Sequence, residues 1–257
     1  MTAFIFFLYG LIIGSFLSVC IYRLPKKESI VFPRSRCPRC LQTIRWYDNL
    51  PLVSYLVLRG RCRFCKNPIS PLYPLVEGLN GAIFALLYLK YSLTPQLFIY
   101  LLLASGLLVL IFIDLRHRIL PNYFTLPGIG LGFLLSFVSP MVEWWDSLVG
   151  IALGGGLLLL VGTVYHWLRK VEGMGMGDVK LMAMVGAFVG WKLTLLTIVL
   201  GALLGSIVGV GLIIKRGGDL KTALPFGTFL GSAALGSLLF GREIINSYLT
   251  LIRGAIF

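Results

Sequence analysis

Asp114 and Asp178 stand where a carboxylate is costly. Asp114 follows the apolar run from Leu101 to Ile113, and Asp178 closes the stretch Gly173-Met-Gly-Met-Gly-Asp178. A carboxylate at the edge of lipid loses solvation, so a chain that keeps two of them is expected to use them. Two carboxylates brought together do not both ionise readily, and a proton kept on one leaves an acid and a base in a single site. The pair points to acid–base hydrolysis at a membrane boundary.

A second set of reactive side chains lies in one polar loop. Cys37-Pro-Arg-Cys40 is followed, after 21 intervening residues, by Cys62-Arg-Phe-Cys65. Two Cys-x-x-Cys knuckles at this separation match a four-thiolate zinc site, which fills the tetrahedron and is therefore structural rather than catalytic. Two disulfides are the competing reading, and they rarely persist on the reducing side of a membrane. A loop of about 50 residues has little core of its own, so a metal staple suits it. Cys20, in the first apolar segment, reads as packing. No His-Glu-x-x-His occurs among the two histidines. His117 reads as a solvated loop residue and His166 as an interfacial packing residue.

The elements that carry these groups are apolar. Hydrophobic residues make up 58% of the 257-residue chain, charged residues 13%, and the mean hydropathy is +0.90. A soluble domain carries about 25% charged residues. Eight apolar segments are expected to form helices: Thr2–Ile21, Leu72–Leu89, Gln96–Ile113, Phe124–Val138, Ser147–Leu168, Val179–Gly190, Leu193–Ile214 and Phe226–Phe240. Several reach the ~20 residues that cross a bilayer, while the fourth and sixth are short and read as tilted core helices or incomplete spans. The expected fold is an all-α polytopic bundle of about eight transmembrane helices. It divides into a first helix (1–21), a cytoplasmic four-cysteine zinc domain (22–71) and a transmembrane core (72–257).

Charge sets the orientation. The stretch 22–71 holds eleven of the 23 Lys and Arg residues, and the loops after segments three, five and seven add eight, from Arg116 to Lys221. The alternate loops hold only Lys90, Lys192, Arg242 and Arg253. This is a positive-inside pattern, with both aspartates on the cytoplasmic side and the N-terminus outside. Residues 1–19 lack the basic start and cleavage site of a secretory signal and read as a retained helix. The net charge of +13 reflects topology and attraction to anionic lipid. No basic helix with interleaved aromatics accompanies it, so nucleic acid is not an expected partner.

Glycines fall into two groups. Gly150 and Gly154, Gly186 and Gly190, and Gly201, Gly205 and Gly209 recur every four residues, as close helix packing requires. Gly173, Gly175 and Gly177 alternate at a helix start, without the Gly-Lys-Ser/Thr of a phosphate loop.

Taken together the motifs resemble those of the bacterial type IV prepilin peptidase family, the leader peptidase/N-methyltransferases. Gly14-Ser-Phe-Leu-Ser-Val19 with Ile21-Tyr-Arg-Leu-Pro25 resembles the family's N-terminal motif, with Ser18 where Asn is usual. Cys37, Cys40, Cys62 and Cys65 match its cytoplasmic zinc motif, framed by Asp48-Asn-Leu-Pro51, Leu58-Arg-Gly-Arg-Cys62 and Pro68-Ile-Ser-Pro71, with Tyr73-Pro-Leu-Val-Glu77 after. Ile113-Asp-Leu-Arg-His117 with Leu120-Pro-Asn122 matches the first catalytic aspartate. Gly175-Met-Gly-Asp178 with Val179-Lys180 matches the second, and Leu224-Pro-Phe-Gly227 resembles a late Pro-Phe-Gly motif.

The resemblance implies cleavage of the short basic leader of prepilins or pseudopilins after a glycine, at the inner face of the bacterial cytoplasmic membrane. It also implies methylation of the new N-terminal amine with S-adenosylmethionine. Archaeal preflagellin peptidases share the aspartates and lack the cysteine loop, so this loop favours the bifunctional type. The sequence does not locate the methyl-donor site; Glu77, at the start of the second long helix, is its candidate contributor. The rival reading is a membrane transporter or scaffold with a zinc-stabilised docking loop, which predicts an internal repeat that the chain lacks.

Overall fold

The computed structural model describes residues 1–171, 174–216 and 224–256. Gly173 and Lys221, and the side chains of Arg216 and Arg253, lie outside what it describes. Among the described residues the fold is helical, with no strand beyond two isolated β-bridges in the loop. Eight helices follow in order: α1 (Thr2–Arg23), α2 (Val53–Val57), α3 (Leu72–Tyr91), α4 (Pro95–His117), α5 (Asn122–Ser136), α6 (Trp144–Arg169), α7 (Met176–Arg216) and α8 (Phe226–Ile256). Six of them, all but α2 and α5, are long and apolar enough to cross a membrane.

The longest, α7, is two helices. Gly190 has φ 75° and ψ 174°, a conformation that only glycine adopts freely. A β-carbon on Gly154 would meet both Met182 O and Thr194 Cγ2, so these two residues are neighbours. On a straight helix twelve residues would separate them by about 18 Å. The chain therefore doubles back at Gly190, and the two arms match the expected sixth and seventh segments.

Close approaches of glycine set the rest of the bundle. Gly10 and Gly14 of α1 lie against Gly81 and Glu77 of α3, where an added β-carbon would come within 2.7 Å of either Cα. Gly150 of α6 and Gly186 of α7 press backbone to backbone. Such contacts let helices meet over a large area in lipid, where the hydrophobic effect does not drive them together. A polar chain crosses the first three long helices: Asn80 donates to Gly10 O (2.7 Å), and Ser105 donates to Asn80 Oδ1 (3.4 Å).

The central element is α4, buried along most of its length between α1, α3, α7 and α8. Its core faces include Tyr100, Leu107, Leu110 and Ile113. On the first arm of α7, Leu181, Met182, Val185 and Ala187 are fully buried. That arm is a core helix too short to span alone, as expected of the sixth segment. Between α1 and α3 the loop forms a small module of turns, α2 and the four cysteines.

Candidate functional site: two carboxylates and a thiol cluster

Asp114 occupies the last turn of α4, and Asp178 the first turn of α7; both are buried. They meet across the start of α8. A β-carbon built on Gly227 would lie 2.9 Å from Asp178 Oδ1 and 3.1 Å from Asp114 Oδ2, which puts the two oxygens within about 6 Å of each other. Carboxylates no farther apart than this are close enough to share one water. The next residue, Thr228, donates twice to Asp114 Oδ2, from its backbone N–H (2.6 Å) and its hydroxyl (2.9 Å). Thr228 N–H lies in the first turn of α8, where no i−4 helical carbonyl is available, and it is shared between Asp114 Oδ2 and Pro225 O (3.2 Å).

The flanking motifs hold this geometry. Asp178 N–H closes a turn on Gly175 O (3.1 Å), and a β-carbon on Gly175 would lie 3.5 Å from Asp178 Oδ2. Gly177 packs on Leu120, where a side chain would come within 2.9 Å, so the start of α7 can seat itself only as glycine. Lys180 Nζ donates to Asn122 Oδ1 (2.8 Å), tying α7 to the first residue of α5. Helix α4 ends at Arg118, whose left-handed backbone (φ 53°) turns the chain after Asp114. His117 and His166 are exposed and touch neither carboxylate. Leu120, Gly227 and Thr228 join the site without having been singled out for it. The Leu120-Pro-Asn122 and Pro-Phe-Gly motifs were visible, but what they touch was not.

The four cysteines converge. Their Sγ atoms all lie within 4.8 Å of one another, and Cys37 Sγ to Cys65 Sγ is 3.8 Å. A tetrahedron with Zn–S bonds of about 2.3 Å has edges of about 3.8 Å, so the cluster has the size of a zinc site.

The two knuckles repeat one turn. Cys37 N–H donates to Gln42 O (3.0 Å) and Cys62 N–H to Asn67 O (2.8 Å); Leu41 and Lys66, each just after the second cysteine, take left-handed backbones. The Cys65 and Phe64 amides draw the Cys62 thiol down to about 7. Cys40, although it receives the Gln42 amide, is pushed up to about 11 by desolvation and its three thiol neighbours. A divalent ion would relieve that crowding, because it binds the thiolate form. Arg63, inside the second knuckle, chelates Asp48 with bonds of 2.6 to 3.1 Å and holds its carboxyl below the usual range.

Glu77 stands at the joint of loop and bundle. It is buried against Gly14, and its Oε2 accepts the Leu52 N–H (2.8 Å). Through this bond Glu77 ties the loop to α3.

Residues 8–91 match the model of the bacterial peptidase A24 N-terminal domain, and residues 101–210 that of the type IV leader peptidase family. A protein of Pseudomonas aeruginosa named prepilin leader peptidase/N-methyltransferase is 37% identical over 94% of this chain and 91% of its own length. One of the same name from Pseudomonas putida is 37% identical over 95% and 92%. Another, from Myxococcus xanthus, is 43% identical over 82% of this chain and 63% of its own length. No solved structure matches. With both family models in their expected order and near full-length relatives above 30% identity, the chain belongs to the type IV leader peptidase family.

Proposed function

We propose that this protein is an intramembrane aspartyl endopeptidase. It removes the leader of type IV prepilins or pseudopilins after a glycine and then N-methylates the new terminus. The observation that carries the reading is the convergence of Asp114 and Asp178 on Gly227, at the ends of buried helices.

The ionised carboxylate takes a proton from a water held between the pair, and the water oxygen adds to the scissile carbonyl carbon. The protonated carboxyl gives its proton to the carbonyl oxygen. When the tetrahedral adduct collapses, the C–N bond breaks and the amine leaves with a proton from the site. The pair works as a unit, and the two roles are assigned to it jointly. Thr228 keeps Asp114 oriented throughout.

The membrane segments number eight on this reading: α1, α3, α4, α5, α6, the two arms of α7, and α8. The loop and both aspartates face the cytoplasm, and the N-terminus lies outside, in a bacterial inner membrane. Zinc on Cys37, Cys40, Cys62 and Cys65 staples the loop. S-adenosylmethionine supplies the methyl group when bound. Glu77, whose Oε2 holds the Leu52 N–H, is the candidate contributor to the donor site, and no step is assigned to it.

The test is cleavage of a prepilin by the purified protein in detergent. Asp178→Asn and Asp114→Asn are each expected to lose cleavage while keeping the wild-type melting temperature; retained cleavage by either would overturn the proposal. A transporter would show ion flux without cleavage.

A further inference from the structure

One apolar run interrupts the most basic stretch of the chain. Leu50-Pro-Leu-Val-Ser-Tyr-Leu-Val-Leu58 has seven apolar side chains in nine residues, and α2 is built from its centre. Val53, Leu56 and Val57 sit at i, i+3 and i+4, one face of a helix, and are 55%, 74% and 70% exposed. The opposite face is turned inward: Ser54 is buried and donates to Tyr47 O (2.9 Å). A water-facing loop would ordinarily place its apolar residues the other way round.

The run is also tied low on the bundle. Leu52 N–H is held by Glu77, in the second turn of α3, and Glu77 is level with Gly14 of α1. Gly14 lies nine residues before Arg23, or about 13 Å along the helix. The guanidinium of Arg23, donating to Ser29 O (2.9 Å) and Pro33 O (2.7 Å), marks where the chain becomes polar. Helix α2 thus starts on the apolar side of that mark, tied through Leu52 to the stretch of α3 on which Leu75 and Leu79 are exposed. Arg59 and Arg61 follow it directly and are exposed, while the nearby acid Asp48 is already neutralised by Arg63. An apolar helix face bordered by arginines is the arrangement that seats itself between headgroups and acyl chains of an anionic bilayer.

We propose that α2 is a lipid anchor of the zinc loop. Its Val53–Leu56–Val57 face lies in the interfacial layer of the leaflet on the loop's side, and Arg59 and Arg61 lie among anionic headgroups. The loop is then a module moored to the membrane at both Glu77 and α2, not a free domain above it. This inference is independent of the catalytic reading.

The test is photo-crosslinking of the full chain in phosphatidylglycerol/phosphatidylethanolamine nanodiscs, with benzoylphenylalanine placed at Leu56 or Val57. Phe4, exposed on α1, serves as the lipid-facing control, and Arg39, exposed on the first knuckle, as the aqueous one. Phospholipid-mass adducts at Leu56, Val57 and Phe4 and none at Arg39 are expected. An adduct at Phe4 without one at Leu56 or Val57 would overturn the proposal. So would peptide-mass adducts at Leu56 or Val57, which would mark a substrate or a second copy instead. Hydrogen exchange of the unsubstituted chain needs no variant. Backbone amides of residues 50–58 are expected to exchange several-fold more slowly in anionic discs than in phosphatidylcholine discs; equal rates would overturn it.

Discussion

Gly227 is the position at which one methyl group would do the most harm to chemistry and the least to folding. The atoms an alanine would strike are the carboxylate ends of Asp114 and Asp178 and the tip of Leu120. These are side-chain ends that can swing aside, so the helices stay in place while the water position is lost. Gly227→Ala is therefore expected to lower prepilin cleavage by about a hundredfold or more with a near-normal melting temperature. A large fall in stability with unchanged kcat would refute this account. Asp114, Asp178 and the four cysteines were legible in the sequence because ionisable groups and thiols in apolar or looped surroundings stand out. Thr228 and Gly227 were not, since a threonine and a glycine carry no charge to mark them. Only the fold shows that the first turn of α8 closes over the carboxylates.

At the scale of elements, close glycine contacts decide which helices pair. Gly186 faces the backbone of Gly150, so a side chain there has nothing soft to push against. Gly186→Ala is expected to destabilise the bundle by about 1–3 kcal/mol, the cost of overpacking a tight core. Gly156→Ala, which adds a methyl group into open space, is expected to be neutral by the same detergent unfolding assay. The four-residue glycine spacing announced these contacts correctly, as did the apolar lengths for most helices. The reversal after Gly190 was legible too, as the boundary between the sixth and seventh segments, but the four-residue spacing assigned Gly190 to packing, whereas its φ of 75° makes it the turn. The short α2 was hidden: at five residues it falls below any periodicity a sequence can display.

For the whole molecule the question is how far its two parts are independent. The thiol cluster lies within the loop, whereas the carboxylates are held by α4, α7 and α8. Chelation of the proposed zinc is expected to make residues 22–71 protease-sensitive while the helical content of the bundle persists, as circular dichroism would report. Replacing Cys37 and Cys40 with serine should bring the metal content of the purified protein near zero. Methyl transfer needs an unprotonated amine and a bound donor, and neither requires a carboxylate dyad. Asp114→Ala and Asp178→Ala are therefore expected to methylate an already trimmed pilin, measured as incorporation of label from S-adenosylmethionine. No incorporation by either would show that the two activities share a site. The polar loop between α1 and α3 stood out in the sequence by its clustered charge and cysteine. The mooring of the loop to α3 through Glu77 and Leu52 did not, because a backbone amide as partner leaves no trace in sequence.

The bonds from Thr228 to Asp114 join residues 114 positions apart, and the later of them belongs to the final helix. During translation Asp114 and Asp178 enter the membrane well before residue 228 leaves the ribosome. Until α8 inserts, Asp114 has no Thr228 to orient it and Gly227 does not yet bring the two carboxylates to a common water. On the proposed mechanism, a chain that stops before residue 226 is therefore expected to insert yet not to cleave, and a truncated protein that retained prepilin cleavage would refute this.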